Sequence, residues 1–361
     1  MISRRFELST LLANDDDGAR PQRRMLLAGP AIAAVSTVAA ILATQAAGVP
    51  LRDPDGVAGR RLVFVVWLVL GLVALDIVLR AAHRADGWLP SPATILRVRR
   101  ERWTLARGVT VGSALVSFYV TYLAYRNLKS VVPLLRPGEL FDRQLAELDR
   151  GLLGGADPAA LLHSLLGTGA AAHGLSAVYM FLFLFIPLTL ALALVFSRNL
   201  AAGLFYTTAQ ALNWALGAAS YFMLPSLGPI YLEPGTFAGL PVSGVTRLQE
   251  FLLDQRSAFL SDPTAAGAAQ SIGAFSSLHV SIFFTAAVAA HLMGLGRGLK
   301  ITAWALLALT TLSTIYFGWH YLLDDVGGLV IGVMALAMAR ALTGFDARTG
   351  RRLPSMRPTT A

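Results

Sequence analysis

Two histidines and one aspartate stand out as side chains that could do chemistry in this chain. His279 ends the segment FSSLH at 275–279, and His320 begins the segment HYLLD that ends at Asp324. A spacing of four residues puts His320 and Asp324 on one face of a helix. An imidazole oriented by a carboxylate, with a second imidazole nearby, can attack an electrophile and move protons. Ionisable side chains beside long apolar segments indicate a functional site.

Long apolar runs must position these side chains. The chain has 361 residues, of which 55% are hydrophobic and 14% are charged, whereas soluble domains carry about 25% charged residues. The runs are long enough for helices of about 20 residues across a bilayer. The sequence therefore predicts an all-α, polytopic integral membrane bundle with about eight transmembrane helices. The predicted spans are 25–48, 61–82, 108–126, 173–197, 200–223, 278–296, 300–319 and 321–343.

Composition excludes several other classes of site. The chain has no cysteine, which excludes disulfides, thiolate nucleophiles and cysteine-bound metals. We expect no metal and no cofactor. The net charge of +9 would suit nucleic acid, but the basic residues lie beside apolar segments, where they set membrane orientation. We therefore expect no nucleic-acid partner.

Basic residues occur in alternate connections and predict the topology. They concentrate at 4–24, 97–107, 198, 297–300 and 348–357, which assigns these segments and both termini to the cytoplasm. Both histidine segments and the segment after the third span then share the non-cytoplasmic face. The Ala- and Arg-rich composition favours a bacterial protein, so the expected location is the plasma membrane.

Four regions are predicted along the chain: a cytoplasmic tail (1–24), an N-terminal transmembrane hairpin with a basic cytoplasmic loop (25–106), a catalytic membrane domain (107–343) and a disordered cytoplasmic tail (344–361). Two amphipathic stretches in the outer loop 127–172 predict short helices on the membrane surface. The Pro- and Gly-rich loop 224–275 is typical of a lid or entrance.

Three polar features have structural interpretations. Asp76 and Arg80, four residues apart, predict a buried ion pair near the cytoplasmic end of the second span. Gln210 and Asn213 predict interhelical hydrogen bonds within the membrane. The glycines at 328 and 332 predict a close approach between two helices.

A phosphate ester would suit the remaining polar residues. Such a group is anionic, and Lys129 and Arg136 supply fixed cations, the arginine as a bidentate fork. Ser276 and Ser277 precede a predicted helix, where backbone N–H groups and a hydroxyl can bind phosphate oxygens. Phosphoryl transfer depends chiefly on such positioning and charge stabilisation.

Three short motifs, in the order in which they occur along the chain, resemble the signature of a known family. Lys-x6-Arg-Pro at 129–137, Ser-x-His at 277–279 and His-x3-Asp at 320–324 resemble the signature of the type 2 phosphatidic acid phosphatase superfamily. The resemblance implies a six-helix core related to vanadium haloperoxidases and a membrane enzyme acting on phosphate esters. The Ser-Leu-His and His-Tyr pairs and the long insertion resemble the inositol phosphorylceramide synthase branch, which transfers a phospho-headgroup between lipids.

The resemblance assigns the roles in catalysis. It implies that His320 is the nucleophile and forms a phosphohistidine, that Asp324 holds the other ring nitrogen, and that His279 protonates the leaving oxygen and later deprotonates the acceptor. The third motif usually carries an arginine where this chain has Thr314. Arg126 is the candidate to replace it.

The sequence thus predicts transfer of a lipid-linked phosphate or phospho-headgroup, with a polyol or lipid alcohol as acceptor. The alternative is a lipid phosphate phosphatase acting on phosphatidate or polyprenyl phosphate. A second alternative is a non-catalytic lipid binder or transporter. A transporter would be expected to place polar residues and broken helices at mid-membrane, whereas the ionisable cluster here lies at the membrane boundary.

Overall fold

The computed structural model describes residues 23–54, 59, 62–85, 89–197 and 199–346, and in these ranges the regular elements are all helical. Most of the two predicted tails (1–24 and 344–361), namely residues 1–22 and 347–361, lies outside the described residues, as does Arg198. The helices are α1 (Arg23–Ala46), α2 (Leu62–His83), α3 (Pro92–Arg102), α4 (Leu105–Leu135), α5 (Asp142–Leu152), α6 (Pro158–Leu166), α7 (Ala170–Ala191, continued by a π-helix at Leu192–Phe196), α8 (Leu200–Met223), α9 (Pro229–Leu232), α10 (Gly244–Ser261), α11 (Leu278–Leu292), α12 (Arg297–Tyr316) and α13 (Leu322–Thr343).

The chain is a multi-pass membrane protein. Six of the described helices are long and apolar enough to cross a bilayer: α1, α2, α4, α7 with its π-helical end, α12 and α13. The other two predicted spans are also helical, since α8 has 24 residues and α11 has 15. Both are buried along most of their length, so they form the interior of the bundle.

Helix α8 lies at the centre, in contact with α1, α4, α11 and α13. Its polar side chains are satisfied across helices, because an unpaired amide in an apolar interior is costly. The Asn213 amide donates to the Gln210 side chain at 3.1 Å and to Thr285 Oγ1 at 3.0 Å. The Gln210 amide donates to the carbonyl of Ile282 at 3.2 Å. The predicted interhelical hydrogen bonds are confirmed.

Helix α2 lies on the outside of the bundle and is largely exposed, as expected of a helix that faces lipid. Its buried end carries the predicted ion pair, in which Arg80 Nε lies 2.8 Å from Asp76 Oδ1. Arg102 Nε adds a second contact to the same carboxylate at 3.3 Å, and Trp103 Nε1 donates to it at 3.1 Å. We call Asp76, Arg80 and Arg102 the Asp76 cluster. It ties α2 to α3 and stands apart from the histidines.

The outer segments differ partly from the prediction. The two amphipathic stretches are confirmed as helices α5 and α6. The predicted end of the third span at 126 is wrong, because α4 continues to Leu135. Lys129 therefore lies inside a helix rather than in an outer loop. The loop 224–275, predicted as a turn-rich lid, contains the 18-residue helix α10, which begins at a Ser243 capping box.

Candidate active site

The two histidine segments meet where α11 and α13 begin. The N–H of Ser277 donates to the carbonyl of Asp324 at 2.9 Å and so joins the two helix starts directly. The backbones approach closely because α13 has glycine where a side chain would collide. A Cβ at Gly328 would strike the carbonyl of Ser277, and one at Gly332 would strike the ring of Phe284. The close approach predicted for these glycines is confirmed.

His320 and Asp324 form a buried pair. His320 Nδ1 lies 3.4 Å from Asp324 Oδ2, and the two residues are 6% and 0% exposed. The same carboxylate oxygen accepts the N–H of Tyr321 at 2.9 Å, which caps the first turn of α13 and fixes the carboxylate. Catalytic hydrogen bonds are often long without substrate. At 3.4 Å the contact is an ion-pair distance, and His320 Nδ1 has no hydrogen-bond partner among the described residues. Nδ1 is the ring nitrogen beside the carboxylate, and Nε2 is the other.

His279 faces this pair from the first turn of α11. The centroids of its ring and the His320 ring are 5.9 Å apart, at an interplanar angle of 59°. Tyr179 of α7 stacks on His279 at 4.3 Å, and Trp319 stacks on Tyr179 at 5.5 Å. His279 Nε2 is buried and has no hydrogen-bond partner among the described residues. The aromatic stack thus holds the ring while one nitrogen is available to a ligand.

The charge state of His320 suits a nucleophile. Burial, followed by the positive charge of Lys129, lowers the pKa of this ring from 6.5 to about 3. A hydrogen bond to the backbone of Ala274 acts in the opposite direction. His320 is therefore neutral near pH 7, with a lone pair available for attack.

Lys129 is a buried cation on the α4 side. Its side chain is 9% exposed, and among the described residues it forms no ion pair with a carboxylate. Its ammonium lies 3.4 Å from the hydroxyl of Tyr125 and 4.5 Å from the ring centroid of Tyr221. Two aromatic faces stabilise a cation in part. Gly273 leaves room for it, since a Cβ there would lie 3.0 Å from Lys129 Cε.

Lys129 and Arg136 line one cavity of about 190 Å³. Arg136 caps the C-terminus of α4, donates to Glu139 through Nε at 2.9 Å and also contacts the carbonyl of Phe222. The structure therefore brings the two predicted cations together. Arg126 Nη2 lies 2.7 Å from Ser271 Oγ, and Arg126 is not among the residues that line this cavity. Its role as the replacement cation stays a prediction.

The two predicted phosphate-binding serines are fully buried and already engaged. Both the N–H and the hydroxyl of Ser276 contact Ser220 Oγ, at 3.1 Å and 3.3 Å. Ser277 Oγ caps α11 by accepting the N–H of Val280 at 3.4 Å, and its side chain bonds to Asp325. These contacts hold the loop in place. A role in phosphate binding stays a prediction.

The position of the absent arginine is occupied by a hydrogen-bonded threonine. Thr314 Oγ1 donates to Asp325 Oδ2 at 3.3 Å, and Ser277 bonds to the same carboxylate from the other side. Thr314 and Asp325 are both buried. No cation therefore reaches the site from this position.

A smaller cavity of about 20 Å³ is lined by His320, and its lining also includes Asp149, Arg150 and Glu233. Asp149 accepts the N–H of Leu322 at 2.7 Å. Burial raises the pKa of Asp149, and its backbone hydrogen bonds lower it.

Within the described residues no group of three or more His, Asp or Glu side chains could hold a metal ion.

Sequence reasoning missed the aromatic and acidic surroundings of the site. Tyr179, Tyr221 and Trp319 sit in apolar segments without a pattern that separates them from ordinary core residues. Asp142 and Asp149 lie seven residues apart on α5, and both point at the start of α13: Asp142 Oδ1 accepts the hydroxyl of Tyr321 at 3.0 Å. Their spacing of seven on an amphipathic helix was the available signal.

Comparison with known proteins gives one match. A family model described as the PAP2 superfamily matches residues 143–338, which is more than half of the chain. The matched range contains both histidine segments but begins after Lys129 and Arg136. No curated protein and no solved structure matches the chain.

Proposed function

The chain belongs to the PAP2 superfamily, and from that premise we propose that it is a membrane enzyme that transfers a lipid-linked phosphate or phospho-headgroup through a phosphohistidine on His320. Members of the superfamily are generally phosphatases or phosphotransferases. One observation carries the proposal for this chain: His320 Nδ1 lies 3.4 Å from Asp324, and the His279 ring lies 5.9 Å from the His320 ring.

In the first half of the proposed reaction, Nε2 of neutral His320 attacks phosphorus. An N–P bond forms and the bond from phosphorus to the lipid oxygen breaks. His279 donates a proton to that oxygen, which leaves as an alcohol. The ring of His320 gains positive charge as the N–P bond forms, and the carboxylate of Asp324 stabilises that charge.

In the second half, an acceptor hydroxyl attacks phosphorus and loses its proton to His279. The N–P bond breaks and its electron pair returns to His320. Lys129 and Arg136 neutralise the phosphate oxygens in both halves. Their shared cavity is the place we assign to the phosphate group.

Transfer to a polyol or lipid alcohol is the acceptor chemistry we propose, because the Ser-Leu-His and His-Tyr pairs resemble the inositol phosphorylceramide synthase branch. Hydrolysis is the second candidate. The cavity of about 20 Å³ beside His320 favours it, since that volume suits a single water and is too small for a polyol.

The experiment is a turnover assay on the purified full-length protein in detergent micelles, with phosphatidate, a polyprenyl phosphate and an inositol phospholipid as substrates. We expect His320→Ala to abolish turnover and His173→Ala, at an exposed histidine, to leave it unchanged. Turnover that survives in His320→Ala would overturn the proposed mechanism. Phosphate release without an alcohol would identify a phosphatase, and dependence on an added alcohol a transferase.

We also propose that the site faces the non-cytoplasmic side of a bacterial plasma membrane, with catalytic domain boundaries at 107 and 343. The chain has no cysteine, so a single one can report the topology. Gly235 is exposed and a Cβ there meets no other atom within 4 Å. We expect Gly235→Cys to react with an impermeant maleimide added outside intact cells, and protection would reverse the orientation.

A further inference from the structure

The cavity that contains Lys129 and Arg136 has a third cation in its wall. Arg256 of α10 lines the same space of about 190 Å³, together with the neutral polar residues Tyr221 and Gln270. No aspartate or glutamate of the described residues lines it. Among the described residues only Arg136 of these three cations is paired with a carboxylate, that of Glu139. The cavity therefore attracts an anion, because each remaining charge raises the local positive potential.

Arg256 lacks a partner of its own. Among the described residues it forms no hydrogen bond and no ion pair, and its only electrostatic neighbours are Asp142 and Tyr231. It is half-buried, and burial lowers its pKa while Asp142 raises it. An arginine keeps its charge under such conditions. A partly desolvated guanidinium with five donors is suited to a bidentate anion.

The residues that line the cavity range from exposed to buried. Gly138, Leu140 and Leu260 at its edge are exposed, whereas Lys129 and Gln270 deeper in the wall are buried. The apolar edge residues suit an acyl or prenyl chain, and the cations behind them suit its phosphate. Arg256 lies one helical turn from Leu260 on α10, between these two regions.

The absence of a motif arginine gives Arg256 its significance. Thr314 stands at that position and bonds to Asp325, so the site lacks a cation on the α12 side. We propose that Arg256 supplies this missing contact, as a third cation that binds the phosphate of the lipid substrate from α10. The inference rests on the proposed function, because it assigns a further binding residue to the same site.

The test compares Arg256→Gln and Arg256→Lys with Arg247→Gln. Arg247 is a matched control, since it is exposed on the same helix and does not line the cavity. The first readout is binding of inorganic phosphate to the full-length protein in micelles, measured as the phosphate concentration that gives half of the rise in melting temperature. The second is KM and kcat for phosphatidate. Melting temperatures without phosphate show that the variants fold.

We expect Arg256→Gln to raise the half-saturating phosphate concentration and KM by about 10-fold or more, the loss of one hydrogen bond to a charged group. The Lys variant should recover part of this, because it keeps the charge and loses the fork. Arg247→Gln should match the wild type. Equal phosphate binding in Arg256→Gln and wild type would overturn the inference, as would an equal loss in Arg247→Gln.

The two proposals fail in different ways. Phosphate binding requires no turnover, so it decides the role of Arg256 even if His320→Ala remains active and the phosphohistidine mechanism is wrong. Wild-type kinetics and phosphate binding in Arg256→Gln, with an inactive His320→Ala, would remove Arg256 and leave the mechanism in place.

Discussion

Replacement of Asp324 by asparagine should separate the charge of this residue from its structural role. The carboxylate accepts the N–H of Tyr321 at 2.9 Å and so caps α13. An asparagine has nearly the same shape, and its amide oxygen can accept the same bond. The substitution therefore keeps the cap and removes only the negative charge beside His320.

The size of the effect follows from the geometry. During attack the ring of His320 becomes positive, and Asp324 Oδ2 lies 3.4 Å from Nδ1. Two unit charges at this separation interact by about 5 kcal/mol at an effective dielectric constant of about 20. About 1.4 kcal/mol corresponds to tenfold in rate. We therefore expect kcat to fall by about three to four powers of ten, with KM nearly unchanged.

The assay is initial-rate turnover of phosphatidate in mixed micelles, with the melting temperature measured on the same samples. Asp325→Asn is the matched control, because it neutralises the adjacent buried carboxylate, which bonds to Thr314 and Ser277 instead. That control should alter stability more than kcat. A kcat of Asp324→Asn above about a tenth of the wild-type value would refute the reasoning. Asp324 would then stabilise the charged His320 ring by much less than the distance of 3.4 Å implies.

Three further predictions concern packing, pH and the Asp76 cluster. Gly328→Ala should lower stability by about 1–3 kcal/mol, as overpacking typically does, and reduce turnover, because the new Cβ would strike the carbonyl of Ser277. Gly298→Ala is the control, since there is open space around that residue. Equal melting temperatures for the two variants would contradict the packing argument. Burial lowers the pKa of His320 from 6.5 to about 3, so between pH 6.5 and pH 3 the unfolded chain binds more protons and stability should fall as pH decreases. The melting temperature of His320→Gln should depend less on pH over that window. An unchanged slope would exclude His320 as the source of the pH dependence. Asp76→Asn should destabilise the protein by about 3–5 kcal/mol, since it leaves the two buried arginines of the Asp76 cluster without their carboxylate. The KM of the protein that remains folded should be unchanged. A stable variant with a shifted KM would instead place the cluster in the active site.

Much of the fold followed from the hydrophobic pattern, and the errors have physical causes. The spans could be located because each apolar run must satisfy its backbone as a helix in lipid. The extension of α4 to Leu135 could not, because Lys129 and Pro133 normally mark the end of a span. Within the fold, Lys129 faces Tyr125 and Tyr221 rather than lipid. Helix α10 was missed because its polar sequence between prolines is typical of a loop.

The site was predictable where function depends on spacing and was not where it depends on tertiary contacts. The separation of four residues predicted that His320 and Asp324 would pair on one face of a helix. They do lie 3.4 Å apart, but His320 precedes α13, which begins at Leu322, so the contact crosses the N-terminus of the helix. The place of Arg256 depends on how α10 and the end of α4 come to line one cavity, for which no local pattern exists. The sequence made Arg126 the candidate for the missing cation, but in the structure it contacts Ser271.

The charges around the histidines restrict the direction from which a phosphate can arrive. The larger cavity is lined by three basic side chains and by no acid of the described residues, whereas the smaller one beside His320 is lined by three acids and one arginine, Arg150. A phosphate ester is repelled by the acidic side and attracted to the cationic side. In the proposed reaction the donor therefore approaches from α4 and α10. A neutral acceptor is not repelled in this way, so in the proposed reaction water can reach the phosphohistidine from the smaller cavity. A lipid alcohol needs the larger cavity that the donor uses. The choice between hydrolysis and transfer then depends on whether the leaving alcohol is replaced in the large cavity before water reacts.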